Sequence, residues 1–342
     1  MPSSTPKKSS PGKARSILVK AGLAVGFLIS AGFAVWIFGI IRFNGPFPGT
    51  GNSILATAWL AALAAVPFFL RNSRQKRFFT AAMFLSAVVP YLFIRPGNDR
   101  IWDVPYTQTA YAEVEGDGVT IHHFRSFDYG AGSEPIPGWS TRTYDLRNLR
   151  GMDFFMSYWG SEYIGHPIFS FDFGAQGHLA FTIEARMEKG ETYSLFAGLY
   201  KRYELSYIPC EESDAVRART NFRENENVHL YRTVATPAQA RARFLEFIET
   251  MNKVRRKPRF YNVITSNCTT AVRSQMTGGF PFDWRIIVNG KLDEMLYDRG
   301  LLVTGGLPFE ELKRRAFINP KVRQHPEKEN FSTRIRENVT GF

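Results

Sequence analysis

Cysteine is scarce: 342 residues hold only Cys210 and Cys268. Two thiols 58 residues apart make no disulfide framework, although an oxidising compartment leaves a single Cys210–Cys268 bond open. There is no CxxC pair and no Cys/His cluster at ligand spacing, so no metal site is expected, and no cofactor is called for. No internal repeat is present, which excludes solenoids and propellers. Gly and Pro are ordinary in amount, which excludes collagen-like and low-complexity chains. Acid is missing from one end. The first Asp or Glu is Asp99, and eleven of the 43 basic residues precede it. That leaves 32 cations against 31 acids in residues 99–342, so the net charge of +12 belongs to the N-terminal end. A general nucleic-acid surface is therefore not expected.

What fills that acid-free end is apolar. Ala21 to Ile41 is an uncharged run of 21 residues, long enough as a helix to cross the ~30 Å hydrocarbon core of a bilayer. It is too long for a removable signal peptide and lacks the small-residue cleavage site. Ile54–Leu70 and Phe78–Ile94 are two further runs of 17 residues each. Neither shows a polar stripe at helical spacing, which favours membrane spans over a buried helical hairpin. Five cations precede the first run, four lie in 71–77, and only Arg42 lies between runs one and two. By the positive-inside rule the N-terminus and the 71–77 turn face the cytoplasm. Three crossings then place the rest in the periplasm, with the anchor in the bacterial inner membrane. The expected organisation is a disordered basic cytoplasmic tail (1–16), three transmembrane helices (17–95), a linker (96–108), a periplasmic domain (109–320) and a polar C-terminal tail (321–342) lying loosely on the surface. Membrane lipids are the expected partners, with lipoproteins or envelope peptides beside them, and nucleic acid is not.

The periplasmic part reads as α+β with an antiparallel sheet. Residues 111–128 alternate about Asp117-Gly118 as a hairpin. Phe154–Tyr158 and Val228–Arg232 read as strands. Thr236-Pro237 starts a helix reaching about Lys253, with Phe244, Leu245, Ile248 and Met251 on its buried face. A further helix is expected from about Asn267 to before Gly278-Gly279. The clearest hairpin is 165–186, turning at 174–177. Burying Phe169, Phe171 and Phe173 together fixes its register, because a slip of one residue would expose all three.

Cys268 carries the chemical lead. It follows Tyr261 to Asn267 at the start of a helix, where unpaired amides and the macrodipole stabilise a thiolate and an oxyanion. A packed structural cysteine is the plainer reading. A nucleophilic thiol needs a proton-transfer partner, and the hairpin register supplies one. His166 falls opposite Glu184, which is placed to fix its tautomer and favour the imidazolium; a surface polar pair is the plainer reading of the two. His178 lies at the far end of the hairpin and is the poorer candidate. His122 and His123 point to opposite faces of a strand and read as ordinary strand residues. Pro167 removes a strand donor, which suggests an edge strand.

Gly165-His166-Pro167-Ile168-Phe169-Ser170-Phe171, then Phe181-Thr182-Ile183-Glu184-Ala185-Arg186, then Tyr261-Asn262 through Asn267-Cys268-Thr269-Thr270, resemble a bacterial family. Its domain is named after the N-terminal periplasmic part of the Lnb lipoprotein N-acyltransferase. Asp283-Trp284-Arg285 and Leu292-Asp293-Glu294 carry the same resemblance. It implies a permuted papain-like, NlpC-type domain with the histidine strand before the cysteine helix. Cys268 would be the nucleophile and His166 the base and acid, with Asn267 and Tyr261 shaping the site or its oxyanion hole; Glu184 as orienting residue comes from the hairpin register. The expected function is a membrane-anchored, periplasm-facing thiol acyltransferase or hydrolase acting through a Cys thioester on lipid-linked or lipoprotein substrates. The alternatives are an envelope cysteine peptidase or amidase, and a non-catalytic envelope binding module.

Overall fold

Leu, Ala, Phe and Ile dominate the first hundred residues, and each uncharged stretch of them is helical in the computed structural model. It describes residues 11–129, 135–223, 225–267, 283–286, 288–324 and 327–342. The chain divides into two units, Met1–Arg95 and Pro96–Phe342. The first holds α1 (Pro11–Asn44), α2 (Thr50–Phe69) and α3 (Ser73–Phe93). Leu18–Asn44, Thr50–Phe69 and Ser73–Phe93 are long and apolar enough to cross a membrane. Residues 11–16, expected in the disordered tail, begin α1, with Pro11 at its first position and no further proline until Pro46. Buried Asn52 stabilises that loop, accepting from the Phe47 amide (3.0 Å) and donating to the Gly45 carbonyl (3.2 Å). Trp36, Phe33, Phe84 and Trp59 pack ring to ring between the helices, while Leu23, Phe27, Phe68 and Phe93 face outward. An apolar exterior of this kind suits lipid and not water.

The second unit is built on an eight-stranded sheet: β1 (Tyr111–Glu115), β2 (Gly118–Arg125), β3 (Trp139–Asp145), β4 (Gly151–Trp159), β5 (Ser161–Asp172), β6 (His178–Arg186), β7 (Glu204–Cys210) and β8 (Glu226–Arg232). Its order is β1-β2-β7-β6-β5-β4-β8, with β3 also on β2. All pairings are antiparallel except a short parallel contact of β2 with β7 at Arg125 and Cys210. With the three apolar helices this is the α+β class expected. The first hairpin turns at Gly116-Asp117, one residue earlier than expected, because Gly116 takes the left-handed conformation (φ 60°). A bulge between Ile121 and Phe124 breaks the alternation expected for His122 and His123. His122 stacks on Tyr111 (4.4 Å), and His123 bonds the Thr109 carbonyl (2.9 Å).

Helices cover both faces of the sheet. On one, Phe169, Phe171, Phe173 and Phe181 pack against Phe244 and Phe247 of α5 (Pro237–Arg256). The buried stripe includes Phe247, while Leu245 is only half-buried, so the helix is rotated slightly from the expected face. On the other face, Phe155, Ile168, Ala180, Ile208 and Cys210 meet Ala215 and Val216 of α4 (Glu212–Arg217). The C-terminal segment completes that layer. It follows α6 (Leu292–Asp298) and α7 (Phe309–Ala316) with α8 (Asn319–Gln324) and α9 (Phe331–Arg334). Residues expected to lie loosely are core: Val322, Phe331, Ile335 and Val339 are buried there. Arg336 runs between Asp153 and Glu212, at 2.6 and 2.5 Å. The expected linker 96–108 likewise packs onto the unit. Trp102 and Tyr106 are buried, and Arg186 donates to the Tyr106 carbonyl.

Candidate active site

On the α4-covered face, one end of the sheet opens into a cavity of about 380 Å³. Its polar wall is made by His166, Glu184, Tyr106, Arg219, Arg223 and Glu226. Alternation places His166 (β5), Thr182 and Glu184 (β6) on the same side of the sheet. The pairing Ile168 with Thr182 and Asp172 with His178 has the register parity read from the sequence. The ladder ends at Ile168, however, next to Pro167, which has no N–H to give. His166 therefore does not meet Glu184 directly. Its Nε2 lies 2.6 Å from the hydroxyl of Thr182, the diagonal neighbour, and that hydroxyl donates to Glu184 Oε1 at 2.9 Å. Pro167 does not mark an edge either. β5 is central, and Pro167 pairs with Met156 of β4.

Proton counting settles the imidazole. Thr182 has one hydroxyl proton and gives it to Glu184, so its oxygen accepts from His166. The neutral ring then carries its proton on Nε2, and Nδ1 keeps its lone pair. No described residue bonds that nitrogen. The ring is neutral for a second reason. Burial foremost, then the Arg219 guanidinium, pushes its pKa down to about 3, against the pull of Glu184. The imidazolium expected from a neighbouring carboxylate is thus disfavoured, because Arg219 takes that charge. Arg219 donates to Glu184 Oε1 (3.1 Å), and the buried Tyr106 hydroxyl donates to Oε2 (2.9 Å). Burial alone would raise the Glu184 carboxyl. Arg219, with Arg223 and Arg125 behind it, holds it well below the usual carboxylate range. Burial and Glu184 keep the Tyr106 phenol protonated. Across the site Ser157 donates to Glu226 (2.8 Å), which Arg223 also meets (3.3 Å).

Tyr261 lines the same cavity, its hydroxyl 3.4 Å from that of Tyr193. After it the chain makes a tight loop. Asn262 exchanges backbone bonds with Ser266 and accepts from the amides of Ile264 and Thr265 (3.0 Å each). The side chain of buried Asn267 donates to the Val263 carbonyl and so braces that loop. Cys268 and the helix expected after Asn267 lie outside the described residues. Among the described residues Cys210 is a free, fully buried thiol whose pKa burial pushes far up. Asn289 closes another side of the cavity. Its neighbour Gly290 lies so close to β5 that a Cβ there would meet the Glu162 carbonyl oxygen at 2.3 Å. Beyond it, buried Asp293 accepts from Tyr158 and Tyr231, joining α6 to β4 and β8.

Among the described residues one cluster has a metal-like donor set, Asp153, His178 and Glu212. The Arg336 guanidinium already occupies the space between its carboxylates (2.5–3.0 Å), so a dication there would meet a fixed positive charge.

Along the chain the histidine strand comes first and the Tyr261 loop after it, and both fall within one family-model match. Residues 136–289 match the Lnb N-terminal periplasmic domain. This match covers the segments that carried the resemblance from Gly165 to Asp283-Trp284-Arg285, including His166, Glu184, Tyr261, Asn267 and Cys268. With the three apolar helices, an Lnb-type domain fits a membrane protein with a periplasmic domain. Searches of curated proteins and of solved structures returned no match to the chain. Tyr106, Thr182, Arg219, Arg223 and Glu226 were not singled out from sequence. Alternation did place Thr182 on the Glu184 face, and that was the available signal. Tyr106 had none, because it lies in a segment without periodicity.

Proposed function

We propose that the second unit is a permuted papain-like cysteine acyl-transfer domain, acting on ester- or amide-linked acyl groups of lipids or lipoproteins at the periplasmic face of the inner membrane. The observation that carries the reading is the tethered, neutral His166, with its Nε2–H given to Thr182 and its Nδ1 left as a base. Cys268 follows Tyr261 of the same cavity wall by seven residues. In the first step the Cys268 sulfur attacks the acyl carbonyl carbon as its proton passes to His166 Nδ1, so the imidazolium that burial and Arg219 disfavour forms only together with the oxyanion of the intermediate. The tetrahedral intermediate collapses as the departing alcohol or amine takes the proton from His166, leaving a thioester on Cys268. An incoming amine or water then attacks the thioester and gives its proton to His166, which returns it to the departing thiolate. The apolar part of the cavity wall, with Trp159, Ile164, Met187 and Leu195, suits an acyl chain.

Thiol labelling tests this. Near neutral pH an iodoacetamide probe should modify Cys268 much faster than buried Cys210, and His166→Ala should remove most of the difference. Incubation with membrane lipids should leave a hydroxylamine-sensitive acyl adduct on Cys268, absent from Cys268→Ala. Equal, slow labelling of both thiols with no adduct would sink the proposal and favour a binding module.

A further inference from the structure

The near-neutral charge of residues 99–342 hides a local excess. From Thr250 to Phe282 there is no Asp or Glu, and five cations fall within seven residues: Lys253, Arg255, Arg256, Lys257 and Arg259. All five are exposed. Arg255 stacks on Tyr111 (3.8 Å). The other four have no carboxylate partner among the described residues, although most arginines of this unit do. A helix C-terminus attracts cations, which accounts for Lys253, Arg255 and Arg256 at the end of α5. It does not account for Lys257 and Arg259, which lie beyond it.

The chain then carries this edge to the mouth of the cavity. The Leu205 amide donates to the Arg259 carbonyl (2.8 Å), Phe260 bridges to Glu204, and the Val263 amide donates to the Gly198 carbonyl (3.1 Å). Loop 194–200 is thereby fixed alongside. Its Phe196 is 72% exposed and its Leu199 37%, while Ile264 on the facing loop is 50% exposed. Leu195 between them lines the cavity that holds His166. The first residues of the unit lie on the same edge. The Asn98 side chain donates to the Arg255 carbonyl (2.9 Å), and Ile101 is 77% exposed.

We propose that this edge docks on an anionic phospholipid surface, with Phe196, Leu199 and Ile264 entering the interface and the 253–259 cations meeting headgroup phosphates. Unpaired cations beside protruding apolar side chains are what an interfacial surface requires. The cations alone would suit any polyanion, but the apolar rim has no use against one in water. The inference goes beyond the acyl-transfer reading and does not depend on the thiol.

The test is amide hydrogen exchange on the full chain in nanodiscs of phosphatidylcholine alone or of phosphatidylcholine mixed with phosphatidylglycerol. Amides of 195–201 and 259–264 should exchange several-fold more slowly in the anionic discs, and high salt should abolish the difference. The combined variant Lys253→Gln, Arg256→Gln, Lys257→Gln and Arg259→Gln should lose that slowing, while β4 to β6 keep their protection as evidence of an intact fold. Equal exchange in both discs, or slowing that persists in the variant, would overturn the proposal. Slowing that follows protein concentration and not lipid charge would assign the edge to a second copy and equally overturn it. None of these results reads Cys268, so failure here leaves the thiol chemistry standing.

Discussion

At the scale of single residues the candidate site is a chain of donors and acceptors in which each proton has one place. Thr182→Val removes the acceptor for the Nε2–H of His166, whereas Thr182→Ser keeps it. One hydrogen bond is worth ~1 kcal/mol, about fivefold in rate. Thr182→Val should therefore slow Cys268 labelling by about that factor, with the serine variant close to the parent, and ¹⁵N spectra should show a changed His166 tautomer only in the valine variant. Acid sensitivity follows from the same charges. The folded state keeps His166 neutral down to about pH 3, while an unfolded chain protonates it near pH 6.5. Between those values the unfolded state binds the extra proton, so stability falls as pH falls. Thermal unfolding in detergent should show a smaller loss between pH 7 and pH 5 for His166→Gln than for the parent. His166 and Glu184 were legible in the sequence because strand alternation and a Phe-rich face fix register parity. The relay through Thr182 was not, because it depends on where the ladder stops.

At the scale of elements, α5 shows how local signals and tertiary packing share the work. Thr236 accepts from the Gln239 amide, and Gln239 returns a bond to the Thr236 amide, closing a capping box that the Thr-Pro start announced in part. Thr236→Ala should cost about 1 kcal/mol. The buried face was less legible. Stripes through Leu245 or through Phe247 both satisfy a period of 3.6, and the choice falls to the sheet, whose Phe169, Phe171 and Phe181 rings meet Phe247. Phe247→Ala should cost about 3–5 kcal/mol and Leu245→Ala much less, read as melting temperatures of the two variants. Gly290 poses a similar question of fit. A side chain there would push its loop off β5, so Gly290→Val should disturb the cavity wall at Asn289 and slow thiol labelling without altering β6 exchange.

At the scale of the whole molecule, composition made the division into an apolar helical unit and an α+β unit plain, since no acid appears before Asp99. The C-terminal segment misled for a physical reason. Its apolar residues, Val322, Phe331, Ile335 and Val339, are spread among charges, and Arg336 counts as surface until buried Asp153 and Glu212 are seen on either side of it. Removing residues 321–342 should leave those carboxylates without their shared cation, a loss of about 3–5 kcal/mol even before the apolar contacts are counted. Limited proteolysis should then degrade the second unit while sparing α1 to α3. Arg336→Met, which fills the space without charge, should be milder than Arg336→Ala but still destabilising, because two acids remain.

The same arrangement bears on how the protein is made. The strands up to β8 emerge about a hundred positions before Arg336, so during synthesis Asp153 can already meet Arg232 while Glu212 still lacks its guanidinium and the α4 side of the sheet is only partly covered. Until residues 319–339 arrive, that partly covered face is a natural client for a chaperone, and any delay in delivering them lengthens its exposure to proteases.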